Sequence, residues 1–247
     1  MIRAVIFDLD GTLIQTEVLK AESYARAMFT LTAGHVPKEQ TMGVFDRFVG
    51  LSRQEVVHGL ATHFRSELQA ALGESNMATL GEALIEKRLE IYHGILDNEE
   101  LLSRHFCSNT LGLFHRLGQE GKTRVLATMS HLPEARKVTT AMGIFGDFDL
   151  ICTRDDVENG KPAPDIYLKV QEHFGLKTEE FLVIEDSVNG IKAAQNAGMP
   201  VFAVTNAITR KSVHDCKLLP SEFVVDDLTQ LEARVIAFIT NGSLQKE

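Results

Sequence analysis

The chain has 247 residues, 44% of them hydrophobic and 24% charged, with a formal net charge of −9 at pH 7, enough for one sizeable core or a core plus a smaller accessory domain. The negative balance argues against sequence-independent nucleic-acid binding, which needs clustered Lys and Arg to neutralise phosphates. Cys107, Cys152 and Cys216 cannot all pair within the chain and show no metal-knot spacing, and no apolar run approaches the roughly 18 residues of a membrane span.

Residues 2–7 form the first apolar, β-rich run, followed at once by DLDGT, in which Asp8 and Asp10 stand one residue apart. The run starts too close to Met1 for a basic region, an apolar segment and a cleavage site, so with the cysteine pattern the expectation is a reducing, cytoplasmic setting. Two like charges at the end of a buried strand are costly unless a cation or a reaction requires them.

From residue 15 to about 99 the pattern changes. Segments 17–31, 53–64 and 80–92 carry helical periodicity, and no strand is convincing. A helical domain over 15–99, inserted after the first strand, is the economical reading. Beyond it, apolar runs at 123–127, 148–152, 181–184, 201–204 and 223–225 alternate with helical stretches such as 165–174 and 187–197, which end near Gly175 and Gly198. Runs of this kind, without strict alternation, predict strands buried on both faces of a parallel sheet. The expected fold is α/β: a Rossmann-like parallel sheet core over 1–14 and 100–247, with an inserted helical domain.

In such a sheet, ligands bind beyond the carboxyl ends of the strands. Asp8 and Asp10 follow the first run, Thr128 the second, and Glu185 and Asp186 the fourth, while Lys161 stands in GKPAPD between the third and fourth. This collection suits phosphoryl transfer through a covalent intermediate. A carboxylate can attack phosphorus, and Mg²⁺ held by Asp8 with Asp186 or Glu185 would reduce repulsion from an anionic substrate. Lys161 and Thr128 would hold phosphoryl oxygens. Asp10 would give a proton to the leaving alkoxide and later take one from water. On an ideal strand Asp8 and Asp10 would share a face; Gly11 predicts a turn that lets them approach one substrate from different sides.

Each residue also has an ordinary reading. Asp10-Gly11 is a common turn pair, Thr128 could cap a helix, and Lys161 could be a solvated loop charge. His131, Ser130 and Asn189 read as capping or solvent-facing groups that could also line the site. The ordinary readings do not explain why each strand tip carries a group that one reaction needs.

DLDGT at 8–12, Thr128 after VLA, GKPAPD at 160–165 and VIEDSVNGIKAAQNAGM at 183–199 together resemble the four motifs of the haloacid dehalogenase superfamily. The resemblance covers the whole core. It implies that Asp8 is the nucleophile and Asp10 the general acid/base, that Thr128 and Lys161 bind the phosphoryl group, and that Asp8, the Asp10 backbone carbonyl and Asp186, helped by Glu185, hold Mg²⁺. It implies that the helical insert is a C1 cap, as in the β-phosphoglucomutase-like branch. Within it Gly50-Leu51-Ser52-Arg53 resembles that branch's GxSR turn, which makes Arg53 the leading substrate contact from the cap, although a surface arginine at a helix start is the plain alternative.

Dehalogenases and phosphonoacetaldehyde hydrolases of the superfamily lack an acid at the Asp10 position, so Asp10 favours phosphate esters. β-Phosphoglucomutases carry Asp and His where this chain has Gln15 and Lys20. Those departures favour a phosphatase over a phosphomutase. Lys20 reads equally as a contact for a second anionic substrate group and as a solvated lysine. The expected enzyme is a monomeric, Mg²⁺-dependent phosphatase of a small phosphorylated metabolite, sugar phosphates first, with the mutase as the alternative. A phospho-sensing receiver domain would share the Asp, Thr and Lys but not the large helical insert.

Overall fold

The computed structural model describes residues 1–48 and 51–241. The chain divides into two compact units, Met1–Gln15 with Ser103–Glu247, and Thr16–Leu102. In the first unit β1 (Ala4–Phe7), β2 (Thr123–Ala127), β3 (Leu150–Cys152), β4 (Phe181–Glu185), β5 (Val201–Val204) and β6 (Val224–Val225) form one sheet in the order β3-β2-β1-β4-β5-β6. Every pairing is parallel, the open arrangement that places a ligand crevice at the carboxyl ends of the strands.

Among the described residues, α1 (Glu17–Leu31), α2 (Lys38–Phe45), α3 (Arg53–His63), α4 (Arg65–Leu72) and α5 (Met77–Leu96) make up the helical unit, and α6 (Glu99–Ser103) runs across its boundary. The core unit carries α7 (Ser108–Gln119), α8 (Leu132–Ala141), α9 (Asp165–Phe174), α10 (Val188–Asn196), α11 (Arg210–Cys216) and α12 (Leu231–Asn241). Among the described residues no helix is long and apolar enough to cross a membrane.

β1 shows why its sequence lacks alternation. Ala4 and Ile6 enter a cluster shared with Tyr167 of α9 and Ile191 of α10, while Phe7 meets Phe114 of α7 edge-on at 5.4 Å. Both faces are dry, so apolar residues are required at every position, each large one favouring the fold by about 1.5–3 kcal/mol. In the helical unit, Tyr24 and Met28 of α1 pack with Phe45, Leu60, Leu68 and Leu84 around a separate core. Arg88 of α5 is buried there, its Nε donating to Ser23 Oγ at 3.1 Å and its guanidinium lying 4.1 Å from the Tyr92 ring centroid.

Two predicted strands begin later than their apolar runs. Phe148 precedes β3 and packs on Phe114, ring centroids 4.8 Å apart. Phe223 ends a 3-10 turn before β6 and sits between Phe202 and Phe238. Both are apolar because they are packed, and hydrophobicity reports burial without reporting the hydrogen-bond ladder. Conversely α5 exceeds the predicted 80–92, since Asn76 starts it by accepting from Ala78 N at 2.9 Å.

Candidate active site

The register builds the site. Phe7 pairs with Leu126 of β2 and Ile184 of β4, so the next residue on each chain, Asp8, Ala127 and Glu185, stands in one row at the strand tips. Asp8 N donates to Ile184 O at 3.0 Å, which continues the ladder to the aspartate. Asp8 is thereby fixed at the mouth of the sheet, 6% exposed.

Lys161 comes into this row from the loop before α9. Its Nζ donates to Asp8 Oδ1 at 2.7 Å, Glu185 Oε1 at 2.6 Å and Ala127 O at 2.9 Å, which occupies all three ammonium protons. Glu185 takes four further donors: Tyr167 OH on Oε1 at 3.2 Å, and Asp186 N, Ser187 N and Ser187 Oγ on Oε2 at 2.9–3.1 Å. Ser187 Oγ also accepts from Gly190 N at 3.0 Å and so caps α10. Glu185 is therefore the anchor of the row: it holds the lysine and closes the turn into α10.

One oxygen each of Asp8, Glu185 and Asp186 lies within 4.8 Å of the others. Two buried carboxylates, Asp8 and Glu185, share the Lys161 ammonium, and a third, Asp186, stands beside them. Burial, only partly offset by Lys161, pushes the Asp8 carboxyl from its ordinary 3.8 up to about 7. Burial pulls the Lys161 ammonium down, but Asp8 and Glu185 outweigh it and hold its pKa well above the usual lysine value. This hard-oxygen donor set fits a divalent cation. Because Glu185 is engaged by five donors, Asp8 and Asp186 are the members of the set best placed to touch the ion.

The turn after Asp8 separates the two aspartates. β1 ends at Phe7, Leu9 O accepts from the amides of Thr12, Leu13 and Ile14, and Gly11 takes φ +87°. A Cβ at Gly11 would stand 1.9 Å from Asp186 Oδ2, so both the positive φ and the close approach require glycine. Asp10, half-buried, accepts from Ser130 Oγ at 2.5 Å. Ser130 N in turn donates to Thr128 Oγ1 at 3.0 Å, and the Thr128 side chain is fully buried. Asp8, Asp10, Thr128, Lys161, Glu185 and Asp186 thus come together in one unit. Asp10's carboxylate stands outside the metal-competent trio, leaving its backbone carbonyl as the contribution that the family resemblance implies.

Three participants were missed in the sequence: Tyr167, Ser187 and Asn206. Asn206 Nδ2 lies 3.0 Å from Asp186 Oδ2 and 3.5 Å from Gly11 O. Asn206 stands two residues beyond β5, so the end of the apolar run 201–204 is the signal that points to it. Ser130, read as a capping or solvent-facing group that could also line the site, is a partner of Asp10. His131 precedes α8 and contacts Asp155 Oδ1 at 2.5 Å, while Asp155 Oδ2 accepts from Leu132 N at 2.8 Å, so that pair closes the start of a helix.

Gln15 Nε2 donates to Gly11 O at 3.1 Å and to Cys107 Sγ at 3.3 Å. It fastens the turn after Asp8 where the departing chain, through Gln15 N to His105 O and Cys107 N to Leu13 O, pairs with the returning one. Lys20 pairs with Glu17 at 2.9 Å within α1. Arg53 is the first residue of α3, just after Ser52, whose hydroxyl and Glu55 form a capping box. It belongs to the helical unit, and Gly50 of the predicted turn lies outside the described residues.

A model of haloacid dehalogenase-like hydrolases matches residues 2–198. YhcW of Bacillus subtilis (strain 168), named as a phosphatase, is 29% identical over 209 residues, covering 85% of this chain and 86% of YhcW. Phosphoglycolate phosphatase of Escherichia coli (strain K12) is 28% identical over 212 residues, 83% of this chain and 81% of the relative. Among solved structures, β-phosphoglucomutase from Clostridium difficile superposes with a TM-score of 0.70 at 23% identity, covering 98% of each chain. The family match spans both sides of the helical insert and takes in Asp8, Asp10, Thr128, Lys161, Glu185 and Asp186: this chain belongs to the haloacid dehalogenase-like hydrolases.

Proposed function

We propose that this chain is an Mg²⁺-dependent phosphatase that cleaves a small phosphorylated metabolite through a phosphorylated Asp8. The observation that carries the reading is the Lys161 ammonium held between Asp8 and Glu185, 2.7 and 2.6 Å away, at the tips of neighbouring strands. Relatives named as phosphatases support it.

Asp8 attacks phosphorus and the ester oxygen departs. Asp10, aimed by Ser130, gives that oxygen its proton. The carboxylate of Asp10 then takes a proton from water as the water attacks the phosphorus of the acyl phosphate, which releases inorganic phosphate and regenerates Asp8. Lys161 meets the incoming phosphoryl oxygens with a charge already oriented, and Thr128, which accepts from Ser130 N, still has its hydroxyl proton to donate. Mg²⁺, held by Asp8, the Asp10 carbonyl and Asp186 with Glu185 behind them, would supply charge neutralisation for the anionic substrate. Arg53 serves as a phosphate or polar-group contact from the cap. We place the enzyme in the cytoplasm as a monomer, a setting consistent with three free cysteines.

Phosphate release from sugar phosphates and from 2-phosphoglycolate, the compound in the name of the Escherichia coli relative, tests the reading when run with Mg²⁺ and with EDTA. Metal-dependent release is expected. Conversion of glucose 1-phosphate to glucose 6-phosphate without release would assign the chain to mutase chemistry instead.

A further inference from the structure

Asn206, two residues beyond β5, is held by its own loop. Its Oδ1 accepts from Ile208 N at 2.9 Å and Thr209 N at 3.0 Å, and its backbone N–H reaches Thr209 Oγ1 at 3.3 Å. With the amide oxygen tied to two N–H donors, the NH₂ must face the other way. It faces Asp186 Oδ2 at 3.0 Å and the Gly11 carbonyl at 3.5 Å, the same carbonyl that Gln15 holds at 3.1 Å. The Gly11 backbone closes on that Asp186 oxygen from another direction.

We propose that Asn206 is a positioning residue for the divalent cation: it fixes the Asp186 carboxylate in its ligating orientation and ties it to the turn that carries Asp10. The inference rests on the metal reading above. A free carboxylate rotates broadly about its last torsion, so a ligand that must be frozen on binding loses affinity. An amide freezes it beforehand and, being neutral, does so without cancelling the negative charge that attracts the ion. Partners of this kind behind a metal ligand typically matter by 10–100-fold in metal affinity.

The test is Mg²⁺ binding by calorimetry, without substrate, to the wild type, Asn206→Ser and Thr209→Val. Serine keeps an acceptor for the loop amides but has no NH₂ for Asp186. Valine removes the Asn206 N–H bond and leaves the Asp186 contact in place. Asn206→Ser should raise the Mg²⁺ Kd by about tenfold or more, with the thermal midpoint little changed. Thr209→Val should lower the midpoint and leave Kd alone. Wild-type affinity in Asn206→Ser, or equal weakening in both variants, overturns the proposal. A wild type that binds no Mg²⁺ overturns the metal reading together with it.

Discussion

Replacing Lys161 by methionine tests the charge balance of the site directly. Methionine approximates the length of the stem but removes the ammonium of a side chain that is 4% exposed, bonded to Asp8, Glu185 and Ala127 O. Asp8 and Glu185 are then left buried without their cation, a change that costs about 3–5 kcal/mol when one partner of a buried pair is deleted. For a chain of this size that corresponds to a fall in thermal midpoint on the order of 10 °C. The loss must depend on pH. With Lys161 gone, Asp8 holds its proton above the value of about 7 that it has in the wild type, so the penalty should be greatest at pH 8 and above and shrink towards pH 5. Urea unfolding in EDTA at pH 5 and pH 8 measures it. The double variant with Asp8→Asn should recover at least about 1 kcal/mol of the loss, because the uncompensated charge is then absent. An unchanged midpoint at pH 8, or a penalty that grows on acidification, would refute this account of the site.

In metal-free wild type, Asp8 binds its proton more tightly folded than unfolded, where it has the ordinary value of 3.8. Stability should therefore fall as pH rises from about 4 to 7, by up to about 4 kcal/mol from this group alone, and guanidinium titrations in EDTA across that window check the sign. Mg²⁺, which needs the ionised form, should bind more weakly as pH drops below 7, as calorimetry would report. Asp8→Asn should abolish turnover while raising the unfolding midpoint in EDTA at pH 8, since it removes surplus negative charge; normal phosphate release from this variant would exclude Asp8 as the nucleophile. Gly190→Ala would bring a Cβ within 1.8 Å of the Glu185 carboxylate. As Glu185 is anchored by five donors, the expected cost is about 1–3 kcal/mol of overpacking together with loss of activity, measured by thermal unfolding and phosphate release.

What could be read from the sequence follows the physics of each signal. Buried parallel strands need continuous apolar runs, and reactive groups must stand where those runs end, so Asp8, Thr128 and Glu185 were legible one by one. Lys161 was legible as chemistry but not as geometry: nothing in GKPAPD says that its ammonium would meet Asp8, Glu185 and a β2 carbonyl simultaneously. Tyr167 was hidden by its helix, where a buried tyrosine reads as core, yet its hydroxyl ends on Glu185. Phe148 and Phe223 misled in the opposite direction, because an aromatic packed beside a strand carries the same apolar signal as one within it.

The site's acids and its glycines answer one requirement. Gly11 lets the turn close against Asp186, and Gly190 leaves room for Glu185 at the start of α10. The carboxylates are brought to within 4.8 Å of each other by strand register and by these two absent side chains. Burying Asp8 there, with Glu185 and Asp10 nearby, raises its pKa and so the energy of its charged form in the metal-free fold, and Lys161 offsets only part of that cost. The remainder is available to favour a bound cation or, once Asp8 carries it, a phosphoryl group. On this view the two glycines act on function through charge density, and even a small side chain at either position would disrupt the proposed metal site before it unfolded the sheet.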